Sequence, residues 1–367
     1  MSIDKIVITG GPSGGKSTVL SILRQHLEDL GFVVILVTET ATDLIMSGVT
    51  PARLGIVPFQ EILMREQISR EEARFRAAQA SPGDKKVILF DRGLQDNAAY
   101  VSKEAFSELC LGLGLSVVQI RDERYDGVIF LQSPPVDKPE VYTTANNAAR
   151  SESIEQAIAI NGRTLDAWVG CPHLTVIDNS TDMEGKTRRV IEAVSRILGI
   201  PEPIEIEKKY LLHHFDASEL PPHTQVIEIV QDYLTNPEPG TAERVRSRGQ
   251  YGSHTYYHTL KRNLRSGVRS EIEHQVTREE YERLLERRDP SYSPIVKTRS
   301  CFVWNSQYFE LDYFLGALEL VLLEVELTRE HDTVTLPPFI TAWGCKDVTD
   351  DPSYSNQELA RNLNAIR

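Results

Sequence analysis

From Glu205 onward, charged residues recur at every second position in segment after segment. "EIEKK" (205–209) places Glu205, Glu207 and Lys209 on one side of an extended chain, because successive side chains of a strand point to opposite faces. "AERVRSR" (242–248) does the same with Arg244, Arg246 and Arg248, and "TLKR" (259–262) supplies Lys261. "SEIEH" (270–274) aligns Glu271 with Glu273, and "VKTRS" (296–300) aligns Lys297 with Arg299. "FELDYF" (309–314) aligns Glu310 with Asp312, and "LLEVELT" (322–328) aligns Glu324 with Glu326. The opposite faces carry Ile206, Val245, Ile272, Leu311 and Val325. Two arrangements satisfy strands that are ionic on one side and apolar on the other. One is an exposed sheet laced by cross-strand ion pairs. The other is a closed barrel with an ionic lumen and an apolar outside covered by helices. Unpaired charge in a lumen costs several kcal/mol per ion, and the mixture of acids and bases reduces that cost. Bases grouped on some strands suit a chain of phosphates, and acids on others suit a divalent cation with oxygen ligands, Mg²⁺ or Mn²⁺.

The first half follows a different rule. "KIVITG" (5–10), "FVVILVT" (32–38), "KVILFD" (86–91), "GVIFL" (127–131) and "LTVID" (174–178) are continuous apolar runs separated by helical patterns, among them residues 17–30, 59–80 and 186–198. Runs of this kind predict a parallel sheet covered on both faces. "GIPEP" (199–203) reads as a linker. The expected organisation is an α/β domain over residues 1–200 and an α+β antiparallel β-barrel over 201–367, with a helix interrupting the latter near 277–288 and a polar, ambiguous stretch at 252–270.

"GGPSGGKST" (10–18) contains G-x-x-x-x-G-K-S between an apolar run and a helical pattern, the context that gives this P-loop motif its meaning. Backbone N–H groups of Gly10, Gly11, Pro12–Ser13, Gly14, Gly15 and the turn into Lys16, Ser17 and Thr18 can point into such a loop (Pro12 itself has none), and the helix N-terminus adds partial positive charge. Lys16 is expected to reach the β- and γ-phosphates of ATP or GTP, and the Ser17 hydroxyl to ligate Mg²⁺. Asp91 ends a strand and is a candidate magnesium carboxylate. Arg92 follows it as a candidate phosphate or substrate contact. Glu39 ends the second strand on the same edge, where ligands of parallel sheets bind. It either caps the following helix or orients and deprotonates an acceptor hydroxyl. Phe59 and Gln60 either line an acceptor pocket or belong to the core.

Composition narrows the partners. The chain has 367 residues, and its formal net charge of −13 argues against general nucleic-acid or membrane-surface binding. Cys110, Cys171, Cys301 and Cys345 form no CxxC pair, which fits reduced thiols. Neither a signal peptide nor an apolar run long enough to span a bilayer is evident. A cytoplasmic protein is expected.

"ITGGPSGGKST", "TETAT", "FDRG" and "IDNS" (177–180) resemble the small P-loop kinase-like ATPases of the AAA_28 type, such as the ribosylnicotinamide kinase domain of the NadR regulators. That resemblance implies a lid carrying arginines, for which "NAARSE" (147–152) supplies Arg150, with Arg163 beyond it; surface arginines are the other reading. "EIEKK", "QDYL", "RVRSR", "KTR", "LDYF", "LEVEL" and "DVTDDPSYSNQELA" (347–360) resemble the CYTH family, the triphosphate tunnel metalloenzymes. It implies that Glu205, Glu207, Glu324 and Glu326 hold metal and that Lys209, Arg244, Arg246, Lys261, Lys297 and Arg299 grip phosphates, with Arg265 competing for the role of Lys261. Asp347 stands where that family carries Glu. The order of the two halves is similar to the TRPL translocation defect family, which implies GTP and phosphoinositide binding. Two functions are therefore open: metal-dependent hydrolysis of a nucleoside triphosphate, tripolyphosphate or similar substrate, or a GTP-dependent switch whose tunnel binds a phosphoinositide headgroup without turnover.

Overall fold

The computed structural model describes residues 3–134, 154–201, 204–235, 241–265, 268–316, 320–329 and 331–366. The chain divides into two compact units, Met1–Ile197 and Leu198–Arg367. Among the described residues, no helix is long and apolar enough to cross a membrane.

The first unit is built on strands β1 (Asp4–Thr9), β2 (Val33–Val37), β3 (Lys86–Asp91), β4 (Gly127–Leu131) and β5 (Leu174–Ile177). They pair in parallel in the order β2-β3-β1-β4-β5. α1 (Lys16–Asp29), α4 (Ile56–Ala80) and α7 (Met183–Ile197) pack against the strands, and α2 (Thr40–Met46), α3 (Pro51–Leu54), α5 (Lys103–Gly112) and α6 (Ile154–Trp168) complete the unit. Ile6, Val7, Ile8, Ile88, Leu89, Val128 and Ile129 are wholly inaccessible, as strands packed on two faces require. α1 buries Val19, Leu20, Leu23 and Leu27, the i, i+4 and i, i+3 positions of one helix face. The chain leaves β1 toward β2 on one side and later reaches β4 on the other. The loop after β1 therefore lies at the switch point where open parallel sheets bind ligands.

The second unit contains β6 (Ile204–Leu212), β7 (Gln225–Tyr233), β8 (Thr241–Gln250), β9 (Ser253–Arg265), β10 (Val268–Val276), α8 (Arg278–Leu285), β11 (Ile295–Trp304), β12 (Gln307–Phe314), β13 (Val321–Glu326), α9 (Pro338–Ala342), β14 (Cys345–Asp347) and α10 (Asn356–Ile366). All neighbours are antiparallel, in the order β10-β9-β8-β7-β11-β12-β13-β6-β14. A further pairing of β10 with β6, through Arg269 opposite Glu205, closes the sheet on itself. The result is a barrel without free edges along that seam. Val245 is covered by Tyr281 of α8, and Leu311 and Val325 lie under Ile340 and Trp343 around α9.

Two expectations need correction. Ile272 remains 42% exposed on the outer face of β10, so this part of the apolar exterior is uncovered. The polar stretch at 252–270 belongs to two long paired strands rather than to an irregular segment. The pairing of β9 with β8 is fixed by a two-residue hairpin, where Tyr251 (φ 53°) and Gly252 (φ 76°) both take the left-handed conformation that primed turns demand.

Candidate functional site

At the end of β1 the chain makes the phosphate loop. Gly10 has φ 135°, and a Cβ there would fall 2.1 Å from the Leu131 carbonyl oxygen, so no other residue fits. Gly15 is also left-handed, at φ 87°, and starts α1. The Lys16 ammonium donates to the carbonyls of Gly10 (3.0 Å) and Gly11 (2.9 Å), folding back across the loop. Asn161 of α6 accepts from the Gly11 N–H and the Ser133 N–H, each at 3.1 Å. Ser133 in turn donates to the Pro12 carbonyl at 2.7 Å. The loop is thus held open by a residue 150 positions away, which no local motif announces. Ser17 and Thr18 lie exposed at the helix start.

Beside the loop, the Glu39 carboxylate pairs with Arg92 and accepts from Thr42 at 2.7 Å. Burial alone pushes Glu39 up, but Arg92 and then Lys16 outweigh it and hold the carboxyl at about 2. Burial raises Asp91, and the nearby Glu39 adds to this while Lys16 opposes it. Arg92 has φ 74°, a conformation that costs a side-chain-bearing residue roughly 1 kcal/mol or more. Asp96 carries a separate, structural load. It accepts from Thr9 Oγ1 at 2.6 Å, Trp168 Nε1 at 2.8 Å and the Gly93 N–H at 2.8 Å, tying β3 to β1 and α6.

In the barrel, register puts the alternating ionic residues on one face, because residues opposite each other in an antiparallel pair share a face. Lys209 lies opposite Glu324, and Glu207 opposite Glu326. Glu310 lies opposite Glu324, and Arg299 opposite Asp312. Lys261 lies opposite both Glu271 and Ala242, placing β8, β9 and β10 on the same interior. The charges pair densely. Lys261 reaches Glu205 at 2.8 Å and Glu271 at 2.5 Å. Arg244 contacts Glu271 at 3.1 Å and Gln231 at 3.0 Å, and Arg246 contacts Glu273 at 2.7 Å. Lys209 meets Glu324 at 2.8 Å and Glu207 at 3.6 Å. Arg299 bridges Asp312 and Glu324, each at 2.7 Å, and also Glu310. Lys297 holds Asp312 at 2.5 Å.

These pairs set the protonation states. Burial raises the Glu324 carboxyl, yet Lys209, Lys297 and Arg299 together hold it well below the usual range. Burial and the neighbouring Glu271 raise Glu205 against the pull of Lys261. Burial lowers Lys297 despite Asp312.

A family model for the AAA domain AAA_28 matches residues 5–186, and a CYTH domain model matches 203–341. The chain joins an AAA domain to a CYTH domain. Together these domains point to triphosphate binding or hydrolysis. No curated protein matches the chain. Among solved structures, the inorganic triphosphatase NE1496 is 32% identical over 43% of this chain and 94% of its own, with a TM-score of 0.31. The PH1819 protein from Pyrococcus horikoshii OT3 is 20% identical over 39% of this chain and 92% of its own, with a TM-score of 0.29. HpAC1 from Hippeastrum, which shows a dominant triphosphatase activity, is 16% identical over 34% of this chain and 80% of its own, with a TM-score of 0.26.

The CYTH barrel brings together Glu205, Glu207, Lys209, Arg244, Arg246, Lys261, Lys297, Arg299 and Glu324 on its interior. Glu326 lies on the same face but is exposed, at the open end of β13. The side chain of Arg265 lies outside the described residues. Asp347 pairs with Tyr210 in register and approaches Lys208 at 3.9 Å, so it sits with the outward residues of β6 and is no lumen ligand. Arg248 (2% exposed), Asp312 (0%), Glu310, Glu271, Glu273 and Gln231 complete the lumen; alternation flags all but Gln231, which is uncharged. In the AAA domain, Lys16, Glu39, Asp91 and Arg92 converge on one sheet edge, whereas Arg150 lies outside the described residues and Arg163 is exposed.

Among the described residues, no group of three or more acids, histidines or cysteines is arranged around a metal position. The donor chemistry nevertheless suits a hard cation. Glu207 and Glu326 face each other across β6 and β13, and Glu324 is one interior position further along. The Glu324 carboxylate is turned to Lys209 and Arg299 here, and that of Glu207 toward Lys209.

Proposed function

We propose that the CYTH lumen binds a triphosphate group with Mg²⁺ or Mn²⁺ and hydrolyses it, while the AAA phosphate loop binds ATP or GTP. The observation that carries this reading is the closed barrel, whose interior cations, Lys209, Arg244, Arg246, Lys261, Lys297 and Arg299, surround a common axis. A chain of phosphates is the ligand class that can accept from so many donors at once. Glu205, Glu207, Glu324 and Glu326 would hold the metal, which supplies Lewis acidity and an activated water. The cations would exchange carboxylate partners for phosphate oxygens. In the AAA domain, Lys16 and the loop N–H groups would hold the β- and γ-phosphates, with Ser17 and Asp91 toward magnesium.

A second reading is supported by the complete pairing of the buried carboxylates and the exposure of Glu326. In it, the lumen senses a polyphosphate, such as a phosphoinositide headgroup, under control of bound GTP and without turnover. One assay separates the two. Purified full-length protein receives Mg²⁺ or Mn²⁺ with ATP, GTP and tripolyphosphate, and phosphate release is measured. The hydrolytic reading expects release that falls at least 100-fold in Glu207→Gln, with nucleotide binding at the AAA domain unchanged. Release no greater than that of a Lys16→Ala, Glu207→Ala double variant would leave the sensing reading.

A further inference from the structure

The phosphate loop contains a glycine that its motif does not require. G-x-x-x-x-G-K-S fixes Gly10 and Gly15 and leaves position 11 open. Gly11 also lies outside the left-handed region that Gly10 and Gly15 enter, so backbone freedom does not account for it. Close contact does. A Cβ at position 11 would fall 2.5 Å from Asn161 Cβ and 2.5 Å from Ser133 Oγ. Two side chains from distant parts of the chain occupy the space that a side chain at position 11 would need.

Both side chains are buried, Asn161 at 5% exposure and Ser133 at 4%. Asn161 shares the buried face of α6 with Ala157, Ile160, Thr164 and Trp168, at helical spacings of three and four. Thr164 bonds back to the Ile160 carbonyl of its own helix at 2.8 Å. Asn161 instead turns its carbonyl oxygen outward, to the Gly11 N–H and the Ser133 N–H. Ser133 follows β4 and uses every polar atom it has. Its N–H meets Asn161, its hydroxyl donates to the Pro12 carbonyl, and its carbonyl accepts from Asn179 Nδ2 at 2.7 Å. Lys186 of α7 donates to Asn179 Oδ1 at 2.8 Å, which fixes the orientation of that amide.

A planar trans peptide points its C=O and its N–H in opposite directions. The Gly10 carbonyl and the Gly11 N–H share one such plane. The Pro12 carbonyl and the Ser13 N–H share another. Asn161 holds the Gly11 N–H, and this turns the Gly10 carbonyl the other way, where it meets the Lys16 ammonium at 3.0 Å. Ser133 holds the Pro12 carbonyl, and this turns the Ser13 N–H away from β4. Ser13 itself sits at φ 59°, a conformation that persists only where its surroundings impose it. We propose that Asn161 and Ser133 are positioning residues for nucleotide binding at the phosphate loop. They touch no phosphate. They fix two peptide planes before the ligand arrives, so that the Ser13 N–H faces the incoming phosphates and Lys16 stands over the loop. Gly11 keeps the space that the pair needs. Such preorganisation acts on affinity, because the loop is not ordered at the expense of binding. This role rests on nucleotide binding by the loop.

Calorimetric titration of the full-length protein with ATP and Mg²⁺ tests both levels. Binding that Lys16→Ala abolishes is binding at the loop. Asn161→Leu keeps the side-chain volume but leaves two N–H groups without their acceptor, and should weaken that binding at least about tenfold. Ser133→Ala removes one hydrogen bond and should weaken it about threefold to tenfold. Gly11→Ala presses on both side chains and should weaken it at least as much as Ser133→Ala does. The melting temperature of the ligand-free protein is measured alongside. A purely structural role would lower that temperature in the variants and leave the dissociation constant of the folded molecules unchanged, which would overturn the proposal. Parent-like affinity in both Ser133→Ala and Gly11→Ala would also overturn it, and holds as a test even if Asn161→Leu fails to fold. A parent protein with no Lys16-dependent ATP binding would end the underlying reading of the loop, and this role with it.

Discussion

The two units prepare for phosphate in opposite ways. The AAA edge is made mostly of backbone. Glycines at positions 10 and 15 shape it, one ammonium crosses it, and several buried polar atoms beside it stay unpaired. The CYTH lumen is made of side chains, and nearly every interior charge is already engaged by an opposite one. The first site needs little rearrangement to accept a ligand and carries its cost as unsatisfied polar groups. The second carries little unpaired charge, yet any polyphosphate must compete with carboxylates for each cation. On the proposed reading, a metal would ease that competition by drawing the displaced carboxylates to itself, which would account for acids in a lumen built to grip anions.

The sharpest way to break the comparison is to remove a hub from each side. Arg299 contacts Asp312, Glu310 and Glu324, and all are buried or nearly so. Arg299→Met leaves three carboxylates without that counter-charge. It should destabilise the barrel by about 3–5 kcal/mol, the cost of breaking a buried ion pair from one side. Native-state hydrogen exchange of the β11 and β12 amides reads this directly. Lys16→Ala removes donation to two loop carbonyls and the pull on Glu39 and Asp91, and should leave exchange in β1 and β3 within about 1 kcal/mol of the parent. Equal losses at the two sites would mean that the lumen network is no more integral to its fold than the phosphate loop is.

How much of this was legible follows the same division. The phosphate loop is read locally, because its chemistry lies in consecutive backbone units and their glycines. The barrel is read from period-two alternation in β6, β8, β11, β12 and β13, because charge on alternate residues survives any loop length. Alternation fails where the interior residue is uncharged, as with Gln231 and Thr259, and where the exterior is left bare, as with Ile272. It also fades in β9, whose Tyr, His and Thr residues suit either face of a strand. Contacts between distant segments leave no sequence trace. Asn161 supports the phosphate loop, and Asp96 ties Thr9 to Trp168, only because the fold brings α6 beside β1.

A smaller effect sharpens the electrostatic side of the comparison. Glu39 titrates at about 2 in the folded protein against an ordinary 4.5. Its folded carboxyl is the stronger acid, so the ion pair with Arg92 contributes stability above the unfolded value. That contribution is lost as pH falls from about 4.5 toward 2, and its full size is on the order of 3 kcal/mol. Glu39→Gln should therefore lower AAA-domain stability at pH 6 and match the parent near pH 2. Urea unfolding followed by Trp168 fluorescence, in a Trp304→Phe, Trp343→Phe background, isolates this unit. A stability gap independent of pH would show that the substitution acts through packing rather than charge.

The least disruptive test concerns the border between lumen and exterior. Asp347 stands where the CYTH resemblance has a Glu and yet faces outward, half exposed, with Lys208 at 3.9 Å as its cation. An exposed pair at that distance contributes less than about 0.5 kcal/mol. Its other contact, acceptance from the Thr349 N–H at 2.9 Å, closes a turn that leads Val348 to the Lys209 carbonyl. Asp347→Asn keeps that turn and removes only the charge. Phosphate release with Mn²⁺ should stay within about twofold of the parent, while Glu207→Gln, on the inward side of the same strand pair, loses nearly all of it. A loss in Asp347→Asn that is rescued by raising the Mn²⁺ concentration would place this carboxylate on the metal. It would also mean that β14 turns inward when a ligand enters, and that the division between an ionic inside and a solvated outside is not fixed at this end of the barrel.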